Sequence, residues 1–112
     1  MKKDQVDMIP AGFWFHYKSD NTEQQKIDEH MKLFRTTDMD IVKIMQDYPY
    51  PISGKITCAD DWYHIQVKGT DSEEFAKMAE IIRGIRKEAG KDVLIFQTMF
   101  GPFKAASMTF GD

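Results

Sequence analysis

The chain has 112 residues, 42% of them hydrophobic and 29% charged, which is one domain's worth of ordinary globular composition and excludes a disordered chain. Fifteen basic against 18 acidic residues leave a net charge of -3, and no stretch gathers Lys and Arg on one face, which argues against a nucleic-acid-binding module. No apolar run approaches the roughly 18 residues of a membrane span, no apolar signal-peptide core follows Met1-Lys2-Lys3, and the single Cys58 has no internal disulfide partner, so the expected setting is the cytoplasm, with no membrane association.

In chain order, Met8 to Tyr17 reads as a strand entered through Pro10 and Gly12, with Phe13-Trp14-Phe15 at its apolar centre. Thr22 with Gln25 three residues later is a capping-box pattern, and the helix it opens should run to about Arg35. Ile27, Met31 and Phe34 give that helix its apolar stripe, and His30 reads as a surface residue. Asp40 to Met45 reads as a second strand, stopped by Pro49 and Pro51. Strand alternation puts Val42 and Ile44 on a purely aliphatic face that suits helices. Ile41, Lys43, Met45 and Asp47 fall on the other face, with Asp47 at the mouth of a site and Lys43 below it.

Between Gln46 and Thr70 no period dominates. Lys55 to Cys58 and Tyr63 to Lys68 read as a hairpin around Asp60-Asp61, with Trp62 as a loop anchor. Asp71 with Glu74 gives a second capping pattern, before Phe75, Met78, Ala79, Ile82 and Ile85 at helical spacing, and Gly90 reads as the C-cap. Val93 to Thr98 is a third strand without polar alternation, as expected for one buried on both faces. Gly101-Pro102 ends it, and Ser107 to Asp112 looks like a helix that has barely begun.

Strands alternating with helices imply a parallel α/β fold. An open doubly wound sheet and a (β/α)₈ barrel both begin this way, and a barrel needs about 250 residues. Working residues in such folds lie at the carboxyl ends of strands, which selects His16 and Tyr17, then Asp47, then Gln97 to Gly101. An inward Asp47 is placed to stabilise a developing cation or move a proton, the plainer alternative being a cap on the Tyr48-Pro49 turn. Lys43 reads as an ion-paired interior lysine and His16 as a hydrogen-bonded packing residue. Cys58, His16, His30 and His64 show no metal-ligand spacing, and there is no phosphate-binding or dinucleotide fingerprint. The eight methionines read as core filling.

Three stretches, taken in order, resemble the uroporphyrinogen decarboxylase family: Gly12-Phe13-Trp14-Phe15-His16-Tyr17, Asp40 to Pro49, and Val93 to Phe103. The likeness spans most of this chain but only the N-terminal part of the family's barrel. It implies a fold class of α/β, the N-terminal portion of a (β/α)₈ TIM barrel, with about three parallel strands and two main helices. Residues 1–112 would then form a single partial domain. It further implies that Asp47 is the catalytic carboxylate contacting the pyrrole NH groups of a tetrapyrrole precursor. His16, Tyr17, Lys18, Phe100 and Gly101 match the surroundings that bind substrate.

The decarboxylases of this family need no cofactor and are usually homodimers, so a homodimer or other self-association is implied here. The family's corrinoid and coenzyme M methyltransferases use zinc and a corrinoid, with zinc ligands from the later part of the barrel. Where the decarboxylases carry an Arg-Gln-Ala-Gly-Arg pattern that holds substrate carboxylates, this chain has Tyr17-Lys18-Ser19-Asp20 and no arginine. That departure keeps a methyltransferase-like member beside the decarboxylase. A non-catalytic module that binds a partner through a half-barrel surface is the alternative from a different class, and the isolated chain is expected to be inactive.

Overall fold

The computed structural model describes residues 9–18, 20–45, 56–65 and 69–109. It is a mixed α/β structure with helices on a two-stranded parallel sheet. Helix α1 spans Glu23–Thr37 and strand β1 spans Ile41–Ile44. A 3₁₀ helix follows at Ala59–His64, then helix α2 at Glu73–Ala89, strand β2 at Leu94–Gln97 and helix α3 at Pro102–Thr109.

Helix α1 begins where the capping box requires. The Gln25 N–H donates to Thr22 Oγ1 at 3.2 Å, and the Thr22 N–H donates to Gln25 Oε1 at 2.8 Å. The helix ends on Asp38 in the left-handed region, with φ 51°. Helix α2 starts differently from its sequence pattern. Ser72, not Asp71, is the N-cap, and its backbone carbonyl accepts from the Ala76 N–H at 3.0 Å while its hydroxyl makes no cap bond. Gly90 closes α2 with φ 82°, a conformation that favours glycine, and donates its N–H to the Arg86 carbonyl. Pro102 occupies the first position of α3, where a missing N–H costs nothing, so that helix starts five residues before Ser107.

The strands pair in parallel, with Val42 opposite Ile95 and Lys43 opposite Phe96. Parity along β1 divides the sheet as its aliphatic pattern indicates. Val42 and Ile44 are fully buried with Ile27 and Met31 of α1 and Ile81 and Ile85 of α2, and Ile95 packs against the same cluster. This core stabilises the unit by roughly 1.5–3 kcal/mol per fully buried aliphatic side chain before chain entropy is counted. The two helices meet at Gly84. A Cβ there would overlap the Ile27 Cδ1 methyl and lie 3.0 Å from its Cγ1, so the absent side chain sets how closely α1 approaches.

Three expectations need correcting. The first expected strand, Met8 to Tyr17, forms no ladder over its described residues 9–17, so the described residues contain two parallel strands rather than three. The segment nevertheless runs beside β1 in the same direction: Ala11 meets Asp40, Gly12 meets Ile41 and Trp14 meets Lys43. Two of its backbone donors go to side chains. The Ala11 N–H donates to Asp40 Oδ2 at 2.9 Å and the Phe13 N–H to Met39 Sδ at 2.9 Å.

The hairpin around Asp60-Asp61 is replaced by the 3₁₀ helix, because Asp61 Oδ2 accepts from the Thr57 and Cys58 N–H groups and folds the chain back on itself. Residues Lys55 and Gln66 to Lys68 of that expected hairpin lie outside the described residues. Finally, β2 is not buried on both faces. Leu94 and Phe96 are about half exposed, since α1 and α2 both pack on the opposite face.

Candidate functional site

The sheet has one face under helices and one face open among the described residues. Ile41 and Lys43 from β1 and Leu94 and Phe96 from β2 point to the open side, set by strand alternation and the parallel register. The neighbouring segment adds to it by the same alternation. Trp14 lies with the Lys43 Nζ 5.8 Å from its ring centroid, and His16 meets Trp14 edge to face at 5.1 Å. Phe15 and Tyr17, the intervening residues, turn the other way onto α1.

Tyr17 and His30 make a polar contact between the 9–17 segment and α1. The Tyr17 hydroxyl abuts both ring nitrogens of His30 and is 2.6 Å from Nε2. His30 Nδ1 lies 3.0 Å from the Lys26 carbonyl, one turn earlier in α1. Phe15 packs on the same ring, with centroids 5.3 Å apart. His30 is therefore buried rather than at the surface, and Lys26 is buried beside it with its Nζ 5.9 Å from the Tyr17 ring centroid. The cluster fastens the 13–17 segment to α1. Its histidine showed no signal in the sequence, because its burial depends on Tyr17 arriving from outside the helix.

Asp47 lies outside the described residues, so its placement is not part of this geometry. His16 and Tyr17, expected side by side in one pocket, point to opposite sides of the segment. His16 joins Trp14 and Lys43 on the open face, whereas Tyr17 anchors to α1. Lys18 is exposed, and its carbonyl accepts from the Asn21 N–H at 3.2 Å in the turn into α1. Phe100 is half-buried and Gly101 exposed just past the carboxyl end of β2, where the Gly101 carbonyl opens α3 by accepting from the Ala105 N–H at 2.9 Å. Lys43, read as an ion-paired interior lysine, is half-buried against Trp14, and no carboxylate pairs with it among the described residues.

The acidity of Asp61 is clearly displaced. Hydrogen bonds from the Thr57 backbone N–H, the Thr57 hydroxyl and the Cys58 N–H hold its pKa at about 2, below the ordinary 3.8. All three donors serve the turn, and their work is structural. Separately, a groove of about 510 Å³ between α1 and α2 is lined by Gln24, Ile27, Glu80, Arg83, Lys87 and Glu88. Its two acids and two bases give no net preference for either charge.

Among the described residues no group of three or more His, Cys, Asp or Glu side chains is arranged to hold a metal ion, and no helix is long and apolar enough to cross a membrane. No protein-family model, curated protein or solved structure gives a significant match to this chain.

Proposed function

We propose that this chain supplies the N-terminal part of a (β/α)₈ barrel of the uroporphyrinogen decarboxylase type, and that Asp47 stabilises the protonated pyrrole during cofactor-independent decarboxylation of a tetrapyrrole precursor. The observation that supports this reading is the parallel pair of β1 and β2 with helices on one face only, and the 9–17 segment running beside β1 in the same direction. A barrel begins with parallel strands under helices on one side, and in this reading the open face is the side the barrel turns inward.

In the proposed reaction a substrate pyrrole ring gains a proton and becomes the electron sink. The bond from the side-chain methylene to its carboxylate breaks, carbon dioxide leaves, and the electron pair flows into the cationic ring. The resulting methylene is then protonated to a methyl group, and the ring gives up the proton it first gained, which restores the neutral pyrrole. A fixed carboxylate at Asp47 lowers the energy of the ring cation and needs no metal to do so. His16, Lys18, Phe100 and Gly101 border the substrate. Tyr17, turned onto His30, holds the 9–17 segment in place.

A second reading is favoured by one observation, the Tyr17-Lys18-Ser19-Asp20 stretch without arginine. A substrate rich in carboxylates is better held by guanidinium forks than by the single ammonium of Lys18. A corrinoid-dependent methyltransferase of the same family, with zinc supplied from the later barrel, meets that objection. Incubating the polypeptide that carries the remaining strands with uroporphyrinogen distinguishes the two. Release of carbon dioxide and stepwise loss of substrate carboxylates supports decarboxylation. Zinc content with methyl transfer to a thiol, and no carbon dioxide, supports the alternative. Self-association, as a homodimer, accompanies either reading.

A further inference from the structure

The open sheet face holds a cation in an unusual setting. Lys43 emerges from the middle of β1 with Phe96 directly opposite it on β2, and Ile41 and Leu94 form the next pair on the same face. Its ammonium lies against the Trp14 ring, and no carboxylate neutralises it among the described residues. Interior lysines normally find a carboxylate partner, because an ammonium on an apolar surface loses hydration without an opposite charge to replace it. Contact with an aromatic face offsets only part of that loss. The rings around it remain open to solvent, with Trp14 48% and Phe96 50% exposed.

We propose that this face binds a small, flat aromatic carboxylate, with Lys43 holding the carboxylate and the Trp14, Leu94 and Phe96 side chains covering the ring. Charge complementarity sets the sign of the ligand, since among the described residues Lys43 is the formal charge that β1 and β2 present on this face. The two aromatic side chains favour a flat ring over an aliphatic chain, because ring on ring contact adds to simple burial. His16, edge-on to Trp14, orients the indole. The inference does not rest on the decarboxylase reading. It needs only the geometry of β1, β2 and Trp14, and it is read by binding rather than turnover.

The probe is 2-naphthoate, titrated into the 112-residue chain and followed by indole emission. Trp62→Phe is included so that Trp14 is the only reporter. The expected result is saturable quenching that weakens about tenfold or more in Lys43→Met and returns in Lys43→Arg. The neutral analogue 2-acetylnaphthalene should bind weakly and equally to all three, with circular dichroism verifying that each variant is folded. Equal naphthoate affinity in Lys43→Met overturns the proposal, as does an absence of quenching in the parent. Emission that instead shifts with protein concentration alone also overturns it, since a second copy of the chain would then be the occupant.

Discussion

Gly84 of α2 and Ile27 of α1 are in contact across the helix pair, and the space a Cβ would need at position 84 is filled by the Ile27 side chain. Ile27 is buried in the same cluster as Val42 and Ile44, so this contact sets the height of the helix layer above the sheet. Gly84→Ala gains about 1 kcal/mol of helix propensity but overpacks the contact at a cost of about 1–3 kcal/mol. A net destabilisation of about 1 kcal/mol is expected in denaturant melts. Adding Ile27→Val removes the Cδ1 methyl that the new Cβ would strike, and the pair should then couple favourably. Simple additivity of the two changes would show that the helices do not meet at this point.

The Tyr17 to His30 hydrogen bond is the polar fastening between the first segment and the helix layer. Tyr17→Phe keeps the ring contacts with Phe15 and His30 and deletes the hydroxyl. A loss of about 1 kcal/mol follows from one buried hydrogen bond. Amide exchange should speed up at Phe13 and Ala11, whose N–H groups depend on the segment staying beside β1. Exchange that quickens uniformly over the chain would mean that the segment is not held locally by this contact.

Asp61 gives a pH-dependent signature of the 3₁₀ turn. Its folded pKa of about 2 lies below the ordinary 3.8, so its ionised form is favoured by folding. The contribution is complete above about pH 4 and is lost as pH falls through 2. Carbon-detected NMR should give an Asp61 titration midpoint near 2, with the Thr57 and Cys58 amide shifts moving together with it. A midpoint near 3.8 with unmoved amides would contradict the three-donor turn.

Much of this structure is legible in the residues. The Thr22/Gln25 box locates the start of α1, Gly90 locates the end of α2, and Val42 with Ile44 identifies the helix-facing side of the sheet. What was not legible depends on partners distant in the chain. Apolar alternation in Phe13 to Tyr17 reads as a strand, yet Met39 Sδ and Asp40 Oδ2 capture the donors a ladder would use. His30 resembles a surface position until Tyr17 covers it. Leu94 and Phe96 read as buried because their run lacks polar residues, but apolar composition does not say which element covers a strand. Asp61 reads as the tip of a hairpin because side-chain to backbone bonds leave no periodic trace.

The sheet of β1 and β2 has an unpaired outer edge at β2 among the described residues, and its open face carries half-exposed Leu94 and Phe96. Open backbone edges pair with other chains. Sedimentation velocity of the 112-residue chain should therefore show species heavier than the monomer that grow with concentration, by edge pairing that leaves Trp14 accessible. A single monomer boundary at all concentrations, with one cooperative melt, would mean that the chain closes its own core.

The most direct measurement of the central claim is carbon dioxide release from uroporphyrinogen by the polypeptide carrying the remaining barrel strands, with Asp47 and with Asp47→Asn. Removing a preorganised charge that faces the ring cation should lower turnover by about 10²–10³-fold, as deletions of comparable electrostatic groups do, while the melting profile stays unchanged. Turnover that survives the substitution at the parent's rate would reduce Asp47 to a residue of the Tyr48-Pro49 turn and contradict the account.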